Sequence, residues 1–374
     1  MTTGFFRLRV LLIGATGNFG KRLARRLHIE PGVEMVLAGR SLPTLEKLSG
    51  ELGAEFVVVD RDRLTGEQLT ELAVDVLIDA SGPFQLTQTG AVHAAIDAAI
   101  HYIDLADARE FVSSITQFDK AAREAGIAVI TGASSSPALS HAVVDHLTAG
   151  WRQIDSLCAT ISPSNRQAVG LSVVKAMLSM AGQRLSVFDK GSWVDAVAWS
   201  QTRLLYLDGL DTRCASLVST PDLDLFVSRY APRESARFEA ALGLPFMHFL
   251  LVCLAKLVQF GVVSSLLPLS KPLHWIANHL WRFGKDCGAM RVRVTGLDDN
   301  SEATTAQWQL TATGNTGPNV PILACVALLR KMRDGELSFT GASACVGLLQ
   351  LCDFEKDLHS LGITTVQSQQ PSEQ

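Results

Sequence analysis

The sequence predicts an α/β fold, in which a doubly wound parallel sheet is followed by a second, mixed α+β domain. Over residues 1–150, short apolar runs alternate with helical patterns, and each run is apolar throughout rather than at every second residue. Beyond residue 150, apolar and polar residues alternate one by one, which is typical of half-buried strands. The chain has 374 residues, which is too long for one ordinary core and suits two domains.

The elements of the first domain follow from these runs. The pattern predicts strands at residues 9–13, 34–38, 56–59, 75–79, 101–103 and 127–130, with helices at 18–28, 42–52, 66–72, 90–99 and 115–125. Apolar strands separated by helices imply parallel pairing with right-handed crossovers, so that helices cover both faces of the sheet. We therefore assign residues 1–150 to one domain and place its boundary near Gly150.

The second domain is predicted to occupy residues 151–357. Residues 290–295 and 306–310 alternate between apolar and polar side chains, which predicts antiparallel strands, and residues 318–332 have a helical pattern. From residue 358 to residue 374 we expect a disordered tail, because its last part is polar and has no period.

Composition limits the classes of function. The net charge of -4 gives no electrostatic reason to expect a nucleic-acid partner. Seven cysteines without a Cys-x-x-Cys pair indicate reduced thiols and a cytoplasmic protein, and the histidine spacing predicts no metal site. The first apolar run stops at Gly14 after four residues, which is too short for a signal peptide and fits a buried strand.

A glycine-rich turn connects the first predicted strand to the first predicted helix. Its three glycines permit the tight turn, let a pyrophosphate approach the backbone and let the helix pack on the sheet. The start of the helix then offers free N–H groups to phosphates. This arrangement predicts a Rossmann-type dinucleotide-binding domain. The expected cofactor-binding residues of the turn are Gly14, Thr16, Gly17, Asn18, Phe19 and Gly20.

The end of the second predicted strand indicates NADP(H) rather than NAD(H). An acidic residue there would accept hydrogen bonds from the ribose 2′-hydroxyl, whereas this chain has Arg40 and Ser41, which can donate to a 2′-phosphate. Asp60, at the end of the third strand, could reach the adenine, although aspartate in such a place is also a common turn residue.

The next two strand ends should border the nicotinamide, because ligands of open α/β sheets lie beyond the carboxyl ends of the strands. After the fourth strand we expect Ser81, Gly82 and Pro83 to bind the cofactor and Phe84 to face the substrate.

On and just after the fifth strand, Tyr102 could donate a proton and Asp104 could orient the substrate or the cofactor amide. A packed tyrosine and a helix-capping aspartate explain these two residues equally well. The catalytic acid or base is otherwise unassigned.

The chain resembles the saccharopine dehydrogenase-like NADP-binding family. The resemblance covers most of the chain and is most specific in the first 140 residues. It rests on the motifs at residues 14–20, 38–41, 81–84, 101–105, 132–137 and 315–318. It implies NADP use, hydride chemistry and a second domain that closes over the nicotinamide. At residues 106–108 the chain has Ala-Asp-Ala where many relatives have Thr-Gly-Glu, so the resemblance does not extend to a substrate.

We therefore expect an NADP(H)-dependent oxidoreductase. It would transfer hydride to or from an imine or amine, a carbonyl or an enoyl group of a small molecule. The alternative is a non-catalytic NADP-binding sensor or structural protein, because the sequence contains no recognisable set of catalytic acid and base residues. Arginines that could bind a substrate carboxylate are dispersed at positions 203, 213, 229 and 233.

An apolar insert is predicted at about residues 244–283. Between residues 244 and 269 the polar side chains His248, Lys256 and Gln259 lie on one helical stripe, and Gly261 is expected to break the helix. Three interpretations stay open: a spanning helix, a core or homodimer-interface helix, and an interfacial helix pair or lid for a lipophilic substrate. The second domain would accordingly bind substrate, mediate dimerisation or contact a membrane peripherally.

Overall fold

The computed structural model describes residues 7–86, 88–164, 166, 170–280 and 284–372. The chain forms two compact units. The first contains the chain up to Leu139 together with Pro318–Leu349, and the second contains Ser140–Gly317 and the chain from Gln350 onward.

The described strands and helices alternate through most of the first unit and then follow a mixed order. In chain order the strands are β1 (Leu8–Ile13), β2 (Val33–Gly39), β3 (Glu55–Val58), β4 (Val76–Asp79), β5 (His101–Asp104), β6 (Ala128–Thr131), β7 (Gln153–Ser162), β8 (Arg184–Asp189), β9 (Ser192–Val197), β10 (Arg203–Leu205), β11 (Arg213–Leu217), β12 (Ser235–Leu242), β13 (Cys287–Leu297), β14 (Ala303–Thr313), β15 (Gly341–Ala344) and β16 (Thr364–Pro371). The helices are α1 (Asn18–His28), α2 (Leu42–Leu52), α3 (Gly66–Glu71), α4 (Gly90–Asp97), α5 (Arg109–Ser114), α6 (Asp119–Glu124), α7 (Ser140–Leu147), α8 (Leu171–Met180), α9 (Asp222–Tyr230), α10 (Pro245–Gln259), α11 (Ser270–Leu280), α12 (Val320–Arg333) and α13 (Cys352–Ser360).

The sheet of the first unit is parallel in its described part, with the strand order β15-β6-β5-β4-β1-β2-β3. Val10, Leu11 and Leu12 of the central strand β1 have no accessible surface, as expected for a strand covered on both faces. The strand order reverses between β1 and β4, so their carboxyl ends form the topological switch point of the sheet. The predicted doubly wound α/β fold is confirmed.

The helix α1 is amphipathic and packs on this sheet. Leu23, Ala24 and Leu27 lie on its buried face. Arg25 and Arg26 lie in its last turn, where positive charge stabilises the negative end of the helix dipole.

The second unit is built on a mixed sheet with the order β10-β11-β12-β7-β13-β14-β16, and the β8–β9 hairpin is attached at β12. β7 and β12 are parallel, whereas β13 and β14 form the antiparallel hairpin that the period-2 alternation predicted. Val292, Val294 and Trp308 are buried, and α7 packs against β13 and β14. The predicted mixed α+β architecture is confirmed.

The division of the chain differs from the single boundary predicted near Gly150. α7 precedes that glycine but packs on the second sheet, so the second unit begins at Ser140. α12 packs against α1, and β15 pairs in parallel with β6, so Pro318–Leu349 belongs to the first unit and not to a second domain at 151–357. Local sequence patterns do not record such contacts between distant segments.

The C-terminal segment also differs from the disordered tail predicted for residues 358–374. α13 continues to Ser360, and β16 pairs antiparallel with β14 at the edge of the second sheet. The side chains of β16 are exposed, so the strand has no buried face to produce an alternating pattern. It is held by ladder hydrogen bonds of its backbone. Residues 373–374 lie outside the described residues.

The apolar insert forms the helices α10 and α11. α10 ends at Gln259, and Gly261 follows with a φ of +73°, in agreement with the break expected there. Residues 281–283, the end of the predicted insert, lie outside the described residues. Within the described ranges, no helix combines the length and the apolarity that crossing a membrane requires.

Candidate functional site

The turn after β1 lies directly against the loop after β4. Gly14 has a φ of +75°, and a Cβ at this position would lie 2.8 Å from backbone atoms of Ala80 and Ser81. Glycine meets both the conformational and the steric requirement. The two loops therefore meet at the switch point of the sheet, where open α/β sheets bind ligands.

The start of α1 completes this turn. A Cβ at Gly20 would lie 2.0 Å from the carbonyl oxygen of Gly14, so the third glycine allows the helix to approach the strand end closely. Gly17 and Asn18 are exposed at the helix start, and the first turn carries no acidic residue. The helix thus offers free N–H groups and the positive end of its dipole to an anion.

The remaining turn residues, Thr16 and Phe19, are half-buried. The backbone turn and the helix start, rather than these two side chains, form the exposed part of the motif.

Arg40 and Ser41 lie beside this turn, because β2 is the neighbour of β1 in the sheet. Both residues are exposed, and Ser41 caps α2, where its carbonyl oxygen accepts from the N–H of Leu45 at 3.0 Å. In the described part of the chain, Arg40 forms no ion pair. A basic and a hydroxyl side chain are therefore available at the end of β2.

Asp60 caps the short 3-10 turn Arg61–Arg63 by accepting from the N–H of Asp62 at 3.3 Å. This geometry is that of an ordinary turn aspartate. A contact between Asp60 and an adenine stays a prediction.

Arg61 is a further residue of the site, and the sequence analysis missed it. Its Nη1 donates to the carbonyl oxygen and to the Oγ of Ser81, at 3.0 Å each, and lies 3.7 Å from Oδ2 of Asp79. Oδ1 of Asp79 accepts from the N–H of Ser81 at 2.8 Å and from its hydroxyl. Burial raises the pKa of Asp79, and the charge of Arg61 opposes this rise.

Arg61 thus ties the loop after β3 to the loop after β4 and holds Ser81 against Gly14. The sequence offered one sign of this role, because Arg61 is a basic residue that follows Asp60 at the end of a predicted strand.

The residues of the loop after β4 differ in their exposure to solvent. Ser81, Gly82 and Pro83 are partly exposed, as expected for residues that border a ligand. Phe84, predicted to face the substrate, is instead 5% exposed, and its ring packs 5.2 Å from that of Phe111. Packing between two aromatic rings stabilises this inward orientation. Contact between Phe84 and the substrate stays a prediction.

Tyr102 and Asp104 lie inside the first unit. Tyr102 has no accessible surface, and its hydroxyl has no hydrogen-bond partner among the described residues. Oδ1 of the buried Asp104 accepts from the N–H groups of Ala106 and Gly132 and from the hydroxyl of Thr131, at 2.8–2.9 Å. Burial raises the pKa of Asp104 to about 7. This geometry favours the alternative of a packed tyrosine over direct contact of Tyr102 with substrate. Asp104 does not cap a helix, because α5 begins after Ala108, and its carboxylate instead fastens the end of β6 to that of β5.

The four arginines considered as carboxylate partners are engaged separately within the second unit. Arg203 pairs with Glu239 at 2.7 Å, Arg229 with Asp145 at 2.8 Å and Arg233 with Asp155 at 3.8 Å, while the buried Arg213 donates to the carbonyl oxygens of Pro163 and Cys287. Each guanidinium already has its own partner, so these residues do not form a shared site for a dicarboxylate.

Comparison with known proteins agrees with this architecture. No protein-family model matches the chain, and no curated protein matches its sequence. The structure of apo saccharopine dehydrogenase (L-Glu forming) from Saccharomyces cerevisiae matches with a TM-score of 0.71 at 14% identity, over 97% of this chain and 100% of that chain. An amine dehydrogenase from Mycobacterium smegmatis matches with a TM-score of 0.49 at 11% identity, over 91% and 96% of the two chains. The match to saccharopine dehydrogenase, with its TM-score of 0.71, confirms the resemblance inferred from the motifs at the level of the fold.

Proposed function

We propose that this protein is an NADP(H)-dependent oxidoreductase. It would transfer hydride to or from an imine or amine, a carbonyl or an enoyl group. One observation carries the proposal: Gly14 turns against Ser81 at the switch point and leads into α1, while Arg40 and Ser41 are exposed at the end of the adjacent strand β2.

The residues of this site fit a dinucleotide with a 2′-phosphate. The turn at Gly14 and Gly17 leaves the backbone open to a pyrophosphate, and the N-terminus of α1 stabilises its charge. Arg40 and Ser41 would donate to the 2′-phosphate. The bound cofactor supplies the hydride, while the protein binds it, orients it and excludes water.

The second unit favours a substrate without two carboxylates. Recognition of a dicarboxylate calls for clustered, bidentate cationic side chains, and the candidate arginines are individually paired. We therefore propose that the substrate is neutral or carries an apolar body.

Calorimetric titration with NADPH and NADH tests the cofactor site. We expect saturable NADPH binding to the wild type and none to Gly17→Val, because the valine side chain occupies the space of the pyrophosphate. The matched control is Gly50→Val on α2, where a Cβ has no neighbour within 4 Å. Absence of binding to the wild type, or equal binding to Gly17→Val, would overturn the cofactor assignment.

The proposed hydride transfer is tested with a panel of imine, carbonyl and enoyl substrates, and the absorbance of NADPH is used to follow its oxidation. Turnover of one class identifies the reaction. The buried positions of Tyr102 and Asp104 favour a second candidate, a non-catalytic NADP-binding protein. Tight NADPH binding without turnover across the panel would establish that candidate instead.

A further inference from the structure

The helix α10 is fixed to the second unit by one face only. His248, Leu251 and Ala255 are buried, and Nε2 of His248 hydrogen-bonds to Oγ of Ser216 at 2.8 Å. A Cβ at Gly182 would lie 2.2 Å from the carbonyl oxygen of Ala255, which shows how closely this face packs. These contacts determine which face of α10 points outward.

The outward face of α10 is apolar. It carries large side chains that are exposed by 40–74%: Phe246, Phe249, Leu250, Leu257 and, at the helix end, Phe260. At about 100° per residue they fall within an arc of about 100°, opposite the buried face. The outward face of a surface helix is ordinarily polar. In α10 both faces are apolar, and one of them has no cover in the described structure.

Exposed apolar side chains continue along the chain after α10. Val262 and Val263 follow the helix, Leu269 precedes α11, and Trp275 on α11 is 62% exposed. Tryptophan is enriched at the boundary between water and lipid. We call the five exposed residues of the α10 stripe the apolar face.

The charged residues of the chain segment that carries the apolar face have one sign, between Glu239 on one side and Asp286 on the other. Residues 240–285 contain four lysines or arginines and no aspartate or glutamate, although acidic residues make up 37 of the 374 residues of the whole chain. Lys256 on α10 and Lys271 on α11 are exposed. Lys285 differs from them because it pairs with Asp211. Lys256 lies about 20° around the helix from Phe249, at the edge of the stripe. An apolar helix face edged by an exposed lysine is complementary to a layer of acyl chains beneath anionic headgroups.

We propose that the apolar face docks this protein onto the surface of an anionic lipid bilayer, with α10 lying in the interface. A second copy of the chain fits the face less well, because its segment 240–285 carries no acidic residue that could pair with the lysines. A homodimer, which the sequence led us to expect, would use another surface. This inference is independent of the proposed oxidoreductase activity.

Flotation of the full-length protein with lipid vesicles tests the proposal. We expect binding to phosphatidylcholine vesicles that contain about 30% phosphatidylglycerol, and weaker binding to pure phosphatidylcholine or at high salt. Leu250→Glu and Leu257→Glu should each lower the bound fraction by about tenfold or more, because both place a carboxylate in the acyl region. The matched control is Leu204→Glu, at an exposed leucine of β10 in the same unit, which should bind like the wild type.

Circular dichroism and thermal melting establish that each variant is folded, and light scattering measures its mass. The proposal is overturned if the wild-type protein does not bind to anionic vesicles. If that protein is also a dimer that Leu250→Glu or Leu257→Glu converts into a monomer, the apolar face is a subunit interface. Equal loss of binding in Leu204→Glu would also refute the assignment of this face.

Discussion

Arg40 is the residue on which cofactor selection depends in the proposed function. Its guanidinium is exposed next to Ser41, with no carboxylate at the strand end to bind a ribose 2′-hydroxyl. We expect Arg40→Asp to weaken NADPH binding by about 100-fold and to strengthen NADH binding, because the change removes a charge-assisted contact and adds repulsion. Calorimetric dissociation constants for both cofactors measure the effect.

Arg40→Lys is the matched control, because it retains the charge but not the forked geometry. It should weaken NADPH binding less than Arg40→Asp does and leave NADPH preferred. An unchanged ratio of NADPH to NADH affinity in Arg40→Asp would contradict the role given to this residue.

His141 is a second residue with a measurable consequence. Its imidazole is buried and packs against the rings of Phe226 and Tyr230, and its Nε2 lies 3.6 Å from Oδ1 of Asp222. Burial, and to a lesser extent the charge of Arg229, lowers the pKa of His141 from 6.5 to about 3. The folded protein therefore keeps this imidazole neutral, while the unfolded chain takes up a proton near pH 6.5.

The unfolded state binds more protons than the folded state between these two pKa values, so this residue lowers stability as the pH falls through that window. The slope is at most about 1.4 kcal/mol per pH unit. We expect His141→Phe, which conserves the ring packing, to lose less stability than the wild type between neutral pH and mildly acidic pH. Denaturant melts at several pH values measure this; parallel curves for the two proteins would refute the prediction.

At the residue scale, the sequence predicted those site residues whose role depends only on neighbours in the chain. The positions of Gly14 and Gly20 follow from a strand, a turn and a helix that are adjacent in the chain. Arg61 was missed because its partner Ser81 lies on another loop, and the sequence did not reveal that Phe84 packs against Phe111. Residues whose role depends on a distant neighbour leave no sign in a local pattern.

At the scale of elements, one buried carboxylate joins α1 to α12. Glu30, just beyond α1, is 8% exposed and contacts Arg26 and Arg330 at 2.5 Å each and Arg333 at 3.9 Å. Glu30→Ala would leave several guanidinium groups close together without this carboxylate. We expect the free energy of unfolding to fall by about 3–5 kcal/mol, as when one partner of a buried ion pair is removed.

Denaturant titration measures this loss. The matched control is Glu51→Ala, which breaks the exposed pair with Arg25 and should change stability little. Similar effects of the two substitutions would show that Glu30 does not join the helices.

Strands with a row of large buried side chains could be predicted from the sequence, and strands without one could not. β1 and the β13–β14 hairpin were recognised because one or both faces are buried, which produces apolar runs or alternation. β15, with the sequence Gly-Ala-Ser-Ala, and the fully exposed β16 were missed because neither carries a row of large buried side chains. Both strands are identified by their pairing alone.

At the scale of the whole molecule, the first unit is discontinuous in sequence. Its sheet is completed by β15 on β6, and the buried helix α12 comes from the same returning segment, Pro318–Leu349. We expect a fragment of residues 1–139 to lack a cooperative thermal transition, because it loses an edge strand and the apolar contacts of α12.

The control is the same fragment joined to residues 318–349 through a flexible glycine–serine linker, which restores the missing pieces. This fusion should melt cooperatively, as followed by circular dichroism. Identical melting of the two fragments would mean that the returning segment is dispensable.

The return of the chain to its first sheet also determines the order of events on the ribosome. While the second unit is being translated, β6 is the uncovered border of the nascent sheet, and such borders recruit strands from other chains. N-terminal domains commonly fold before the rest of a protein is made. Here the first unit cannot complete its sheet until Gly341–Ala344 has been made, so its last folding step must follow translation of the whole intervening segment Ser140–Gly317.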